Sequence, residues 1–168
     1  TDGALIATAY GVRILQLMEK FARLQGLYED ADIWKGKEKV LTDAFNKRIL
    51  TVKRGTSLRP GHVLYPDSEF YGNNTATANL LPIAFGMVPD SVKSDVLKNI
   101  VKNIIETGKG HVTCGVIGIS WLMRTLSDNG YADVAYMLAT QRTYPSWGYM
   151  AENGATTIWE LWNGDKAI

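Results

Sequence analysis

Apolar positions along this chain recur at helical spacing, three and four residues apart, rather than alternating as in a strand. From Ala4 to about Gly26, Leu5, Ala9, Val12, Leu15 and Ala22 line one helical face. Ile14, Leu17, Met18 and Phe21 form a second stripe beside it, which predicts burial over a wide arc. From Glu29 to Leu50 the pattern is amphipathic, with Trp34, Leu41, Ala44 and Phe45 near one face and Lys35, Lys37, Lys39 and Lys47 turned to water. Between Thr51 and Gly72 the periodicity stops at Gly55, Pro60, Gly61 and Pro66, the signature of a long irregular connection of the kind that often carries function. Helical spacing returns over Asn74 to Phe85, and Val88-Pro89-Asp90-Ser91 supplies a stop and an N-cap. Val92, Val96, Ile100 and Ile104 then recur every four residues, with Gly108 expected at the C′ position that ends the run. Ile117 to Leu126, the turn Asp128-Asn129-Gly130, and Tyr131 to Gln141 complete six helices.

Three successive helix pairs joined by short turns predict an all-α array of antiparallel hairpins. No β-α alternation supports a parallel sheet, and no fixed period marks a tetratricopeptide-like solenoid.

Composition narrows the function classes. With 168 residues, 46% hydrophobic and 21% charged, the chain has the balance of one globular domain. Its 18 basic and 17 acidic side chains give a net charge of +1, too little to recruit nucleic acid or an anionic membrane surface, so a neutral substrate is expected. The lone Cys114 with His62 and His111 makes neither a disulfide framework nor a multi-cysteine zinc site, and no metal or cofactor is expected. Gly115 and Gly118 lack the lysine and preceding strand of a phosphate loop. Cys114 has no activating base near it in sequence. No apolar run of about 18 residues is present to span a bilayer. The chain starts on Thr1 and stops soon after a dense motif, as expected for a piece of a longer polypeptide.

That motif carries the chemistry. Tyr144-Pro145-Ser146-Trp147-Gly148-Tyr149 leads into Gly154-Ala155-Thr156-Thr157-Ile158-Trp159-Glu160, and aromatic faces around a single acid suit a sugar site. Together with His111-Val112-Thr113-Cys114-Gly115-Val116-Ile117-Gly118 and Leu126-Ser127-Asp128-Asn129-Gly130, it resembles the bacterial α-L-rhamnosidases of glycoside hydrolase family 78. The similarity is strongest from about Asn74 to Asp165.

The resemblance implies an (α/α)6 toroid, of which residues 1–168 would form a single fragment, about half of the catalytic domain. It implies inverting hydrolysis of terminal α-L-rhamnosyl linkages, with Glu160 as general base and the general acid before Thr1. A further substrate-binding histidine is expected beyond Ile168, and because one of the two carboxyl groups lies outside it, this chain alone is expected to be inactive. Trp147, Tyr149, Trp159 and Trp162 are candidates for binding a deoxysugar or for packing the core, and at least one tryptophan flanking Glu160 should point away from the pocket. His111 is a candidate for binding sugar hydroxyls or for anchoring the turn it precedes. Glu152 and Asp67 are acids near loops that match no catalytic position, and His62 reads as an ordinary loop residue. The missing half would leave an apolar face open to self-association. The rival reading is a non-catalytic helical-repeat or carbohydrate-binding module. The location of the parent is left open between periplasm, cell surface and exterior.

Overall fold

A helix in water is held mainly by what its apolar face packs against. The computed structural model describes residues 1–52 and 69–164, and within them the hairpin pattern is realised. The first hairpin is α1 (Gly3–Leu24) and α2 (Tyr28–Ile49), the second α3 (Ala76–Ala84) and α4 (Asp90–Lys102), and the third α5 (Val116–Asp128) and α6 (Ala132–Thr140). Helix α3 packs against both α1 and α5, so the odd-numbered helices form one row, and each even-numbered helix packs on its own hairpin partner.

Helix α3 is the centre of this arrangement. Every residue from Ala76 to Ile83 is buried, including the polar Thr77 and Asn79. A helix that is apolar nearly all round must be enclosed on all sides. Leu80 and Leu81 meet Leu5, Ala9 and Val12 of α1, Val96 and Ile100 of α4, and Leu122 and Leu126 of α5 in one continuous core. Each fully buried leucine in such a core contributes roughly 1.5–3 kcal/mol. Pro82 lies in the last turn, where it removes the N–H that would donate to the Ala78 carbonyl, and the helix stops two residues later.

Helices α1, α3 and α5 end in one shared device. Gly26, Gly86 and Gly130 each take a left-handed conformation (φ 74°, 67° and 86°). The N–H groups of Leu27, Met87 and Tyr131 just after them donate to the carbonyls of Ala22, Pro82 and Leu126. This is the Schellman closure, in which glycine avoids the steric penalty of a side chain. It reverses the chain within a few residues. All short turns therefore lie at one end of the hairpins, and the connections 108–115 and 141–146, together with the described strands β1 and β2, lie at the other.

The all-α hairpin fold is as expected, with details that the sequence did not show. A short ribbon accompanies the helices: β1 (Leu50–Val52) and β2 (Glu69–Tyr71) pair antiparallel, with Thr51 opposite Phe70. They sit at the two edges of the stretch read as irregular, too short to show a period. His62 and Asp67 lie outside the described residues. Gly108 is not a left-handed C′ residue. Its φ is −81°, and α4 continues through a π turn, Asn103–Thr107, before Lys109 and Gly110 take positive φ. Gly108 is required by close approach, because a Cβ there would lie 2.7 Å from the His111 carbonyl oxygen and 2.8 Å from that of Ile104. A seventh helix, α7 (Trp147–Glu152), was not anticipated, and it too ends in the Schellman device, with Gly154 at φ 84° and Ala155 N–H donating to Met150. The second stripe of α1 is not buried: Ile14 is 58% and Phe21 55% exposed. Nothing among the described residues packs on that flank.

Buried polar side chains fasten β2 to this frame. The Asn79 Oδ1 accepts from Tyr71 N–H at 2.8 Å, and its Nδ2 donates to Asn74 Oδ1 at 2.7 Å. Asn99 donates to the Glu69 carbonyl at 2.9 Å, and the Tyr71 hydroxyl donates to Asn46 Oδ1 at 2.6 Å. Replacing Asn79 by leucine strands the buried Tyr71 N–H, so a loss of about 1–3 kcal/mol is expected. Urea denaturation measures it, and an unchanged midpoint would refute this role for Asn79.

Candidate functional site

The end that carries the long connections is also where α1, α3, α5 and α7 begin. Their first N–H groups have no intrahelical partner, so side chains must satisfy them. Asp2 accepts from Ala4 N–H at 2.9 Å, Thr75 from Ala78 N–H at 3.3 Å, and Ser146 from Tyr149 N–H at 2.9 Å. A 2.9 Å hydrogen bond between the hydroxyls of Thr1 and Thr75 ties the starts of α1 and α3 together. The partial positive charge of helix N-termini favours anionic groups at this end.

The connection 108–115 is held by its own backbone and by the loop after α6. Gly108 N–H donates to the Asn103 carbonyl and Gly110 N–H to that of Ile104, both at 2.9 Å. The His111 Nδ1 lies 3.2 Å from the carbonyl oxygen of Gly108 and 3.1 Å from that of Lys109. A carbonyl oxygen only accepts, so Nδ1 carries a hydrogen. In the neutral ring Nε2 then accepts from the Thr143 hydroxyl, at 2.8 Å. Gln141 Nε2 donates to the Gly110 carbonyl at 3.1 Å, a second tie between the same two loops.

Beyond Thr143 the chain passes a cis peptide bond at Tyr144-Pro145 and enters α7. Ser146, almost wholly buried, caps this helix. Gly148 lies so close to the Gln141 carbonyl and the Arg142 Cα that a Cβ would collide with the backbone. The first turn of α7 is thereby seated directly on residues 141 and 142. Trp147 meets Trp162 edge to face at 5.7 Å, and Tyr144 meets Tyr149 the same way at 5.3 Å, the geometry favoured by the charge distribution of aromatic rings. A cavity of about 300 Å³ opens between α7 and the stretch of chain after it, lined by Trp147, Met150, Ala151, Ala155, Thr157 and Ile158 among others.

Glu160 is exposed and makes no hydrogen bond or ion pair with any described residue. Its neighbours divide. Trp162 packs toward the core, Trp159 is half-buried against Gly164, and Ile158 and Leu161 face water. The structure therefore brings Trp147 and Trp162 into contact. It pairs Tyr149 with Tyr144 rather than with them, and it engages both ring nitrogens of His111 within the protein. Glu152 approaches Arg142 at 3.4 Å. Sequence reading overlooked Gln141, Thr143 and the contact at Gly148. The one local signal was Ser146 before a helical run, an ordinary N-cap pattern.

Cys114 is buried, and desolvation pushes its thiol up to about 11. Among the described residues no group of three or more His, Cys, Asp and Glu side chains could hold a metal ion. No described helix is long and apolar enough to cross a membrane.

The chain matches a family model described as the bacterial alpha-L-rhamnosidase 6 hairpin glycosidase domain over residues 1–167. It is 32% identical to an alpha-L-rhamnosidase of Alteromonas sp. (strain LOR) over 163 residues, covering 97% of this chain and 16% of that protein. The structure of an alpha-L-rhamnosidase from Dictyoglumus thermophilum superposes with a TM-score of 0.78 at 32% identity, over 92% of this chain and 16% of that one. A Streptomyces avermitilis alpha-L-rhamnosidase complexed with L-rhamnose superposes with a TM-score of 0.81 at 30% identity, over 98% of this chain and 14% of that one. The chain thus spans about a sixth of the length of these relatives.

The position of Cys114 sets a pH dependence. Its proton is held more tightly in the folded than in the unfolded chain, so the stabilisation is complete below the ordinary thiol value of 9.0 and is lost as pH rises toward about 11. Thermal melts of wild type against Cys114→Ala should show the wild type losing stability more steeply across that window. Parallel curves would contradict the assignment.

Proposed function

Because the chain belongs to the bacterial α-L-rhamnosidase six-hairpin glycosidase family, we propose that it is part of an α-L-rhamnosidase that hydrolyses terminal α-L-rhamnosyl linkages with inversion, Glu160 serving as general base. The observation that carries this reading is the state of Glu160: an exposed carboxylate with no hydrogen bond or ion pair to a described residue, next in sequence to Trp159 and two residues before Trp162, which packs on Trp147 of α7.

An inverting hydrolysis needs one carboxyl group to protonate the departing oxygen and a second to take a proton from water on the opposite face of the sugar. In this proposal Glu160 draws the proton from the attacking water as the water oxygen bonds to the anomeric carbon. The bond to the leaving oxygen breaks, and that oxygen receives its proton from a general acid outside these residues. The two carboxyl groups stand roughly 6.5–9.5 Å apart so that the water fits. Trp147, Trp159, Trp162 and Tyr149 offer flat apolar faces to the C–H groups and methyl of a deoxysugar. Thr156 and Thr157, in the cavity wall beside Ile158, can hydrogen-bond hydroxyls. No step requires a metal or an organic cofactor.

The open flank fits the same proposal. Ile14, Met18 and Phe21 of α1 are exposed, and Val40 of α2 is 70% exposed beside a groove lined by Ile33, Gly36, Leu41 and Ala44. In the full-length enzyme this flank would be covered by further helical hairpins.

Two outcomes are expected. In the full-length enzyme Glu160→Gln keeps the shape of the side chain and removes the base, so kcat on an aryl α-L-rhamnoside should fall about 10²–10⁴-fold. A fully active variant would remove Glu160 from the mechanism. The 168-residue chain by itself should self-associate through its open flank, giving a light-scattering mass that rises with concentration. A strictly monomeric, cooperatively folded species would contradict that.

A further inference from the structure

We propose that His111 is a positioning residue: its imidazole, bridging the Gly108–Lys109 turn and the Thr143 hydroxyl, is a latch that sets the placement of α7 and hence of Trp147. The ligand affected is L-rhamnose, and in that respect the latch rests on the function proposed above.

A contiguous set of contacts leads from the imidazole to the cavity. On one side of the latch the turn is immobilised by the π-turn end of α4. Gly108 and Gly110 N–H groups donate to the carbonyls of Asn103 and Ile104, and the Thr113 hydroxyl donates to Asn103 Oδ1 at 2.8 Å. The turn also lies against α6, since a Cβ on Gly110 would lie 3.5 Å from Met137 Sδ. On the other side stands the segment 141–143, which has no helix or strand of its own. Two side-chain ties fasten it to the turn, His111 to Thr143 at 2.8 Å and Gln141 to Gly110 at 3.1 Å.

Whatever fixes that segment also fixes α7, because Gly148 touches the Gln141 and Arg142 backbone with no room for a methyl group. Helix α7 carries Trp147, whose ring sits on Trp162 and forms part of the cavity wall. The path from His111 to the cavity is thus turn, hydroxyl, backbone, glycine and tryptophan, with no gap.

The ring's hydrogen-bonding capacity explains why it cannot bind sugar in this arrangement. Nδ1 is committed to two carbonyl oxygens and Nε2 to a hydroxyl. A substrate hydroxyl would have to displace one of these partners. Placement of a binding surface, rather than contact with the reacting atoms, is the role left to it, and misplacement on the order of 1 Å is enough to matter.

The test is a double-mutant cycle in the full-length enzyme. Thr143→Val removes the hydroxyl while keeping the shape of an exposed side chain, so folding is not at risk, and His111→Ala removes the ring. Each single variant is expected to weaken L-rhamnose binding, read by tryptophan fluorescence, and to raise KM by about threefold to tenfold, the range of one hydrogen bond. The turnover number should stay within about twofold. The double variant should be no worse than the worse single one, because both remove the same link. Amide hydrogen exchange over 144–150 should quicken in both single variants. His111→Gln, which keeps an N–H donor for the turn carbonyls, should recover part of the loss.

If His111→Ala abolishes binding while Thr143→Val changes nothing, His111 touches the sugar itself and the latch is wrong. Strictly additive effects, or unchanged exchange over 144–150, also overturn it. If the wild type neither binds L-rhamnose nor turns over a rhamnoside, the function proposed above falls, and the exchange measurement alone decides whether the latch exists.

Discussion

The whole structure depends on one constraint, the complete enclosure of α3. Eight consecutive buried residues can be accommodated only if neighbours stand on every side, and α1, α4, α5 and β2 supply them. Enclosure fixes the order of the rows, because the helices flanking α3 must be those one hairpin before and one hairpin after it. It also makes Asn79 and Thr77 part of the core, where a polar group is tolerated only with a partner. Asn79 finds its partners in the backbone of Tyr71 and the side chain of Asn74, so the burial that builds the core also attaches β2 to it. No buried side-chain nitrogen or oxygen among the described residues lacks a partner.

That frame divides the molecule into two unlike ends. At one end glycine-terminated helices turn back at once, leaving no chain with which to build a site. At the other, each even-numbered helix returns to the next odd-numbered one by a longer path, and the side-chain caps and the Tyr144–Tyr149 and Trp147–Trp162 pairs collect there. Helix α7 repeats the terminal device of α1, α3 and α5, yet residues 155–163 do not form another helix. Instead Trp162 packs against Trp147 in the first turn of α7.

Much of this was legible in the sequence, and the parts that were not share a physical cause. Helices α1, α4 and α5 were readable because each buries a stripe with a 3.6-residue period, and the last hairpin turn because Gly130 sits just past the last periodic residue. The aromatic, acid-bearing motif was readable by resemblance. The strands were not, since three residues at each edge of a long connection show no alternation. Helix α7 was hidden because glycine and aromatics in a six-residue helix look like a loop, and its helical form is fixed by the Ser146 cap and the backbone beneath Gly148. The exposure of Ile14 and Phe21 was not legible at all. An apolar stripe reports that a face is meant to be covered, not whether its cover lies within the same stretch of chain. At His111 the residue type offered sugar binding and turn anchoring alike, and the ring's partners depend on Thr143, 32 positions away.

The central claim is that the carboxylate of Glu160 faces a sugar across a water molecule. The most direct measurement is a crystal structure of the full-length protein with L-rhamnose bound. The account predicts the sugar beside the tryptophans of this segment, with Glu160 hydrogen-bonded to a water on the face opposite the leaving oxygen and a second carboxyl group roughly 6.5–9.5 Å from it. L-rhamnose seated away from Glu160, or Glu160 bonded directly to the anomeric carbon with no room for water, would contradict it.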